Sequence, residues 1–187
     1  SNDIIFNKDI DKFIFVSEVL KMKIELKRWS FEDKEFLIKM CNTIDRNYLS
    51  DRIPDPYTDE SAEWWLNMVE ENDEKNGVFR EIVVDGKIAG AVSVEQKGDV
   101  YRKDSEIGYY LLQEVYSKGI MTEAVRQICE IAFEKLDIVR ITGMVYEPNI
   151  ASKKVLEQNN FLLEGVMKKA VIKNNNIYDL CIYGKVR

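Results

Sequence analysis

Glu106-Ile-Gly-Tyr-Tyr-Leu-Leu-Gln-Glu-Val-Tyr-Ser-Lys-Gly119-Ile-Met-Thr122-Glu-Ala124 is the stretch whose reading decides the fold. Its first part, from about Ser105 to Leu112, is a short run rich in aromatic and branched residues and reads as a strand. From Thr122 to Lys135 the apolar residues Val125, Ile128, Cys129, Ala132 and Phe133 recur at the spacing of a helix with one buried face. Between strand and helix lies a short loop carrying Ser117, Lys118 and Gly119. Such a loop aims the unpaired N–H groups and positive dipole end of the helix at whatever sits above it. Gly119 lets the backbone approach an anion closely, and Lys118 and Thr122 add a charge and a hydroxyl. The loop is therefore a candidate phosphate cradle, although a plain helix entry looks the same. The patterns GxxxxGK[ST] and GxGxxG are both absent, which argues against a nucleoside triphosphate and against NAD.

Working outward, the alternating run Ile24-Glu25-Leu26-Lys27-Arg28 predicts a first strand, and Glu32 to Cys41 a helix. Thr58-Asp59-Glu60, followed by Ala62, Trp65, Leu66 and Val69, opens a second helix after the proline-stiffened loop Arg52-Ile53-Pro54-Asp55-Pro56-Tyr57. Glu81 to Val84, the turn Asp85-Gly86, and Lys87 to Ala89 predict a hairpin. Val139 to Tyr146 alternates as a strand, and Ile150 to Gln158 reads as a short helix ended by Asn159-Asn160, since asparagine tolerates the left-handed conformation. Phe161 to Ile172, a turn at Asn174 to Asn176, and Ile177 to Val186 close the chain as a second hairpin. The order is β-α-α-β-β-β-α-β-α-β-β, a single mixed α/β domain over residues 23–187. Residues 1–22 read as an N-terminal extension, with Ser1-Asn2 as an expression remnant and a helix docking on a partner as the other option.

Composition narrows the chemistry. Hydrophobic residues make up 45 % of the 187 and charged residues 32 %, an ordinary globular balance. The apolar runs are too short to span a bilayer, and no secretory leader pattern is visible, so the expected address is cytoplasmic with no membrane contact. There is no histidine, which removes Ser-His-Asp and Cys-His catalysis and histidine-based zinc sites. Cys41, Cys129 and Cys181 are scattered and form no CxxC pair, so neither a disulfide framework nor a metal site is expected. A net charge of -6 argues against nucleic acid and favours cationic partners such as amines or basic peptides.

Val115 to Ala124 resembles the acetyl-CoA pyrophosphate loop of the RimJ/RimL branch of the GNAT N-acetyltransferase superfamily, which commonly reads YWGKGIATEA. Asn149-Ile-Ala-Ser152, Val155-Leu156-Glu157 and Phe161-Leu-Leu-Glu-Gly165 follow in the order of that branch, and Pro54-Asp55-Pro56-Tyr57-Thr58 resembles its loop before the second helix. The resemblance runs from about Lys23 to Arg187. It implies a GNAT fold with a central splayed sheet and acetyl-CoA as co-substrate, with no metal. Ser117, Lys118, Gly119, Ile120, Met121 and Thr122 would take the pyrophosphate. Tyr110, Leu111 and Leu112 would lie along the pantetheine arm like an added strand, and Asn149 and Ser152 would reach it from the opposite side. Met121 stands where the superfamily has Gly or Ala, and Asn160 where it has Gly.

The catalytic candidates are Glu106 as general base, on one strand face with Gly108 and Tyr110, and Ser152 as acid. Relatives place a base where this chain has Val171 and a tyrosine acid where it has Leu156, which leaves the assignment open, with Tyr109, Tyr110 and Tyr146 as further donors. Tyr57 and Trp65 are candidate acceptor-binding residues, one of Trp64 and Trp65 being expected in the core. The resemblance implies acetyl transfer to a primary amine by direct attack in a ternary complex. The acceptor would be a basic protein N-terminus, or a polyamine, amino acid or antibiotic; a homodimer is compatible with it. A CoA-binding sensor or scaffold with weak catalysis is the alternative.

Overall fold

A computed structural model describes residues 22–187 of the chain; the expectation for the N-terminal extension falls almost entirely outside the described residues. Seven strands form one sheet: β1 (Ile24–Lys27), β2 (Gly77–Val84), β3 (Lys87–Gln96), β4 (Ser105–Leu111), β5 (Arg140–Tyr146), β6 (Leu162–Lys173) and β7 (Asn176–Val186). The spatial order is β1-β2-β3-β4-β5-β7-β6. Every neighbouring pair is antiparallel except β4 and β5, which run parallel. Parallel neighbours need a crossover, and the helix α3 (Ile120–Lys135) supplies it. The other helices are α1 (Lys34–Cys41), α2 (Asp59–Asn72) and α4 (Ile150–Gln158). The observed element order is the one the sequence predicts.

Local chemistry sets the boundaries. Thr58 caps α2 by accepting the Ser61 N–H at 3.2 Å. Asp85 and Gly86, at φ +48° and +81°, make the two-residue turn joining β2 to β3. Asn160 takes φ +62° just after α4, the left-handed role its side chain permits. Asn174 and Asn175, at φ +49° and +61°, do the same between β6 and β7.

The strand alternation splits the core in two. Val78, Ile82, Val92, Val94, Ile107 and Leu111 face α3, packing on its Ile120, Ala124, Val125 and Ile128. On the opposite face Phe79 and Ala91 meet Leu37, Met40, Ala62, Leu66 and Val69 of α1 and α2. The sheet is thus covered by helices on both faces at its β1–β4 end. Beyond β5 the cover thins, and β6 is largely exposed. Among the described residues, no helix is long and apolar enough to cross a membrane.

Candidate active site

The site begins where β4 and β5 part. Their ladder pairs only Glu106 with Thr142 and Ile107 with Gly143; beyond that point Gly108 to Leu111 and Met144 to Tyr146 have no partner across the gap. Each arm is held by its outer neighbour, β4 by β3 and β5 by β7. The gap is therefore a wedge within a continuous sheet.

Hydrogen-bond alternation identifies the groups lining it. The Leu112 N–H donates to the Ala89 carbonyl at 2.8 Å, on the β3 side. Successive residues of a strand point their backbone groups to opposite sides, so Tyr110 and Leu112 bond to β3 while Tyr109 and Leu111 present N–H and C=O to the wedge. Of the three residues expected along a pantetheine arm, Leu111 has its backbone there. Tyr110 and Leu112 do not, and Tyr109 joins Leu111 instead.

At the mouth of the wedge lies the loop before α3. Ser117 and Gly119 both adopt left-handed φ, +61° and +74°, which curls the chain so that α3 starts directly after Gly119. Among the described residues no acceptor takes the N–H groups of residues 117–119. The first bond of the helical ladder is that of the Glu123 N–H to the carbonyl of the N-cap Gly119, at 3.2 Å. Exposed N–H groups converging at a helix N-terminus make an anion site. Ser117, Lys118 and Gly119 are exposed there, whereas Ile120 and Met121 turn their side chains into the core. Met121 accordingly fills the interior, not the loop. Thr122 donates its hydroxyl to Gln158 Oε1 at 2.9 Å, tying α3 to α4, so its side chain is committed to packing.

On the far arm, Asn149 caps α4 by accepting the Ser152 N–H at 3.2 Å. Ser152 Oγ lies 2.6 Å from the Tyr109 hydroxyl. Burial pushes the Tyr109 phenol up to about 12, against a lowering contribution from Ser152. Leu156, the position for which the family resemblance implied a tyrosine, is 1 % exposed. It packs so tightly under β5 that a Cβ at Gly143 would come 2.7 Å from it. An apolar residue there is part of the α4–β5 contact.

Glu106 sits at the closed end of the wedge on the face toward α1 and α2. Its carboxylate is 36 % exposed and lies 3.7 Å from Arg52 of the α1–α2 loop. Next on this face, Gly108 leaves open space: a Cβ there would meet only Ser93 Oγ, at 3.9 Å. Arg46 pins the same loop by donating to the carbonyls of Cys41, Ile53 and Pro54 at 2.6, 2.7 and 2.9 Å. Lys173, beside the β6–β7 turn, pairs with Asp51. A cavity of about 300 Å³ lies between loop and turn, lined by Arg46, Asp51, Ile53, Asp55, Lys173 and Asn174. Tyr48, Tyr146 and Tyr178 cluster near this junction, with ring centroids 6.1–6.4 Å apart.

Tyr57 and Trp65 depart from the acceptor-binding expectation. Tyr57 is 6 % exposed within the α1–α2 cluster, where burial raises its phenol pKa. Trp65 packs edge-to-face on Trp29 at 5.2 Å and on Phe79 at 6.5 Å. The exposed tryptophan is Trp64. The α2 face that meets the sheet takes Ala62, Leu66 and Val69, and Trp65 follows that face.

The pattern described as Acetyltransferase (GNAT) domain matches residues 23–162. The chain belongs to the GNAT acetyltransferase family. Relatives include YdaF of Bacillus subtilis (strain 168), provisionally a ribosomal N-acetyltransferase, 33 % identical over 112 residues. That match covers 60 % of this chain and 61 % of YdaF, so the chain spans about three fifths of that protein. The probable N-acetyltransferase YjcK of the same organism is 35 % identical over 133 residues, 68 % of this chain and 72 % of YjcK. Among solved structures, RimL, a ribosomal L7/L12 alpha-N-protein acetyltransferase in complex with coenzyme A, superposes with a TM-score of 0.76 at 21 % identity, covering 87 % of this chain and 93 % of RimL. The microcin C7 self-immunity acetyltransferase MccE, in complex with acetyl-CoA and AMP, gives 0.73 at 25 % identity over 88 % and 93 %. In this GNAT domain β4 carries Glu106 at the closed end of the wedge and leads, past the open end, into the loop before α3.

Proposed function

We propose that this GNAT domain transfers acetyl from acetyl-CoA to a primary amine by direct attack in a ternary complex. The observation that carries the reading is the wedge: β4 leaves β5 after two paired positions, with unpaired N–H groups of an anion loop at its mouth. The pyrophosphate sits on residues 117–122, and the pantetheine arm bonds to the backbone of Tyr109 and Leu111. One of those N–H groups polarises the thioester carbonyl and holds the oxyanion.

The chain's own groups then divide the proton work. Glu106, directly or through water, takes the proton the amine sheds as its C–N bond forms. The C–S electron pair leaves on sulfur, with Ser152 as hydrogen-bond donor. Cys41, Cys129 and Cys181 are all buried, so none offers a thiol for a covalent acetyl intermediate. The burial of the three thiols supports direct attack.

The acceptor is a primary amine reached over Gly108, a protein N-terminus being the first choice because the named relatives include ribosomal-protein acetyltransferases. Acetyl-CoA and such acceptors meet in the cytoplasm, which is the proposed site of action. The second reading, a CoA-binding scaffold, is favoured by Val171 and Leu156 at positions where relatives carry reacting groups. Thiol release from acetyl-CoA with a panel of basic N-terminal peptides, polyamines and amino acids separates the two. Saturable, amine-dependent release is expected; tight CoA binding without release under any amine contradicts transfer and leaves the scaffold.

A further inference from the structure

Tyr109 ties the two arms of the wedge together. Its side chain leaves β4 on the α3–α4 side of the sheet and reaches the first turn of α4, where its oxygen lies 2.6 Å from Ser152 Oγ. A serine hydroxyl has one hydrogen and two acceptor lone pairs, so the direction of this bond decides what Ser152 can offer next. The phenol is the stronger acid and the aliphatic oxygen the better acceptor, so Tyr109 donates. The tyrosine stays protonated across the neutral range, since burial holds its pKa at about 12. A serine near a helix start often turns back onto a carbonyl of the preceding turn. Here Ser152 Oγ makes no such bond among the described residues: its one hydrogen-bond contact is the Tyr109 oxygen. Ser152 N–H is taken by Asn149. Among the described residues nothing receives the serine's own hydrogen.

We propose that Tyr109 is a positioning residue for the transfer step: by donating to Ser152 Oγ it fixes the serine and turns its single hydrogen toward the sulfur of the departing CoA. The proposal rests on the transfer reading given above. In that step the amine nitrogen bonds to the carbonyl carbon and loses its proton to Glu106 or to water. The C–S bond breaks with its electron pair on sulfur. Ser152 donates a hydrogen bond to that sulfur and keeps its proton, and the thiolate takes a proton from water on release. Without the tyrosine hydroxyl the serine has several rotamers, and its hydrogen is spread over all of them.

The test compares the wild type with Tyr109→Phe, Ser152→Ala and the double variant in thiol release, with CoA affinity measured for each. Tyr109→Phe should lower kcat by on the order of tenfold, less than the 10²–10³ lost when a donor to the reacting charge is itself removed. Its CoA Kd should stay within about twofold. The double variant should be no slower than Ser152→Ala, because the tyrosine acts through the serine. A second arm places 3,5-difluorotyrosine, a far more acidic phenol of nearly the same shape, at position 109. It should introduce a descending limb in kcat at alkaline pH, because a phenolate accepts from Ser152 and turns its hydrogen away. That limb should vanish in the Ser152→Ala background. If Tyr109→Phe does not fold, this arm decides alone. Losses that multiply in the double variant, a Tyr109→Phe rate within twofold of wild type, or a fluorotyrosine enzyme with no new limb overturn the proposal while transfer stands. Absence of any amine-dependent thiol release in the wild type overturns transfer and the proposal together.

Discussion

At the scale of single residues, Gly119 and Glu106 carry the proposed chemistry. Gly119 occupies φ +74° at the entry to α3, where a side chain is strained and would crowd the anion proposed to bind there. Gly119→Glu adds like charge at that point. Calorimetric titration should show CoA binding lost, with the melting temperature lowered by only a few degrees; retained affinity would mean that the phosphates lie elsewhere. Glu106→Gln keeps shape but cannot take a proton. It should lower kcat by about 10²–10⁴-fold with CoA Kd almost unchanged. The ascending limb of the pH–rate profile should weaken in the variant when measured with two acceptors of different amine pKa. A limb that follows the acceptor and survives in Glu106→Gln, with less than about tenfold loss, assigns Glu106 a structural role. The left-handed loop before α3 was legible because a helix entry built from consecutive residues leaves a contiguous pattern in sequence. Arg52 opposite Glu106, Lys173 against Asp51 and Tyr109 against Ser152 were not, because each pairs residues more than 40 positions apart.

At the scale of elements, the order of strands and helices followed from periodicity and capping, but β2 and β3 reach back to Gly77 and on to Gln96, well beyond the expected hairpin of Glu81 to Ala89; the asparagines at 160, 174 and 175 took the left-handed roles their chemistry allows. Trp65 shows where that reasoning stops. Helical spacing tells that Trp64 and Trp65 point apart, but which one faces the core depends on how α2 lies on the sheet. The wedge shows the same limit: both strands are visible in sequence, their divergence after two pairs is not. Strand β2 carries a further consequence. Glu81 is 5 % exposed, with Oε2 lacking a partner among the described residues. Burial first, and then the charge of Asp33, push its pKa from 4.5 to about 7, against a lowering effect of Lys27. Between those two values the folded state holds a proton that the unfolded chain has released, so stability falls as pH rises through this window. Denaturant midpoints taken between pH 4.5 and 7 should show that fall, and Glu81→Gln should flatten it. An unchanged slope in the variant moves the effect to other groups.

At the scale of the whole molecule, both core clusters and the wedge are built from the described residues, 22–187. We propose that the residues before Met22 are dispensable for folding. A chain beginning at Met22 should keep its melting temperature within a few degrees and unfold cooperatively; insolubility or a broad transition would assign the extension to the structure or to a contact between copies. The central claim is that one open wedge holds the thioester and the amine together, so acetyl passes directly between them. Initial rates of transfer from labelled acetyl-CoA to an accepted amine, over a grid of both concentrations, test it most directly. Intersecting double-reciprocal lines, with label reaching the amine in step with thiol release, are the predicted result. Parallel lines, with label retained on the protein in the absence of amine, would contradict it.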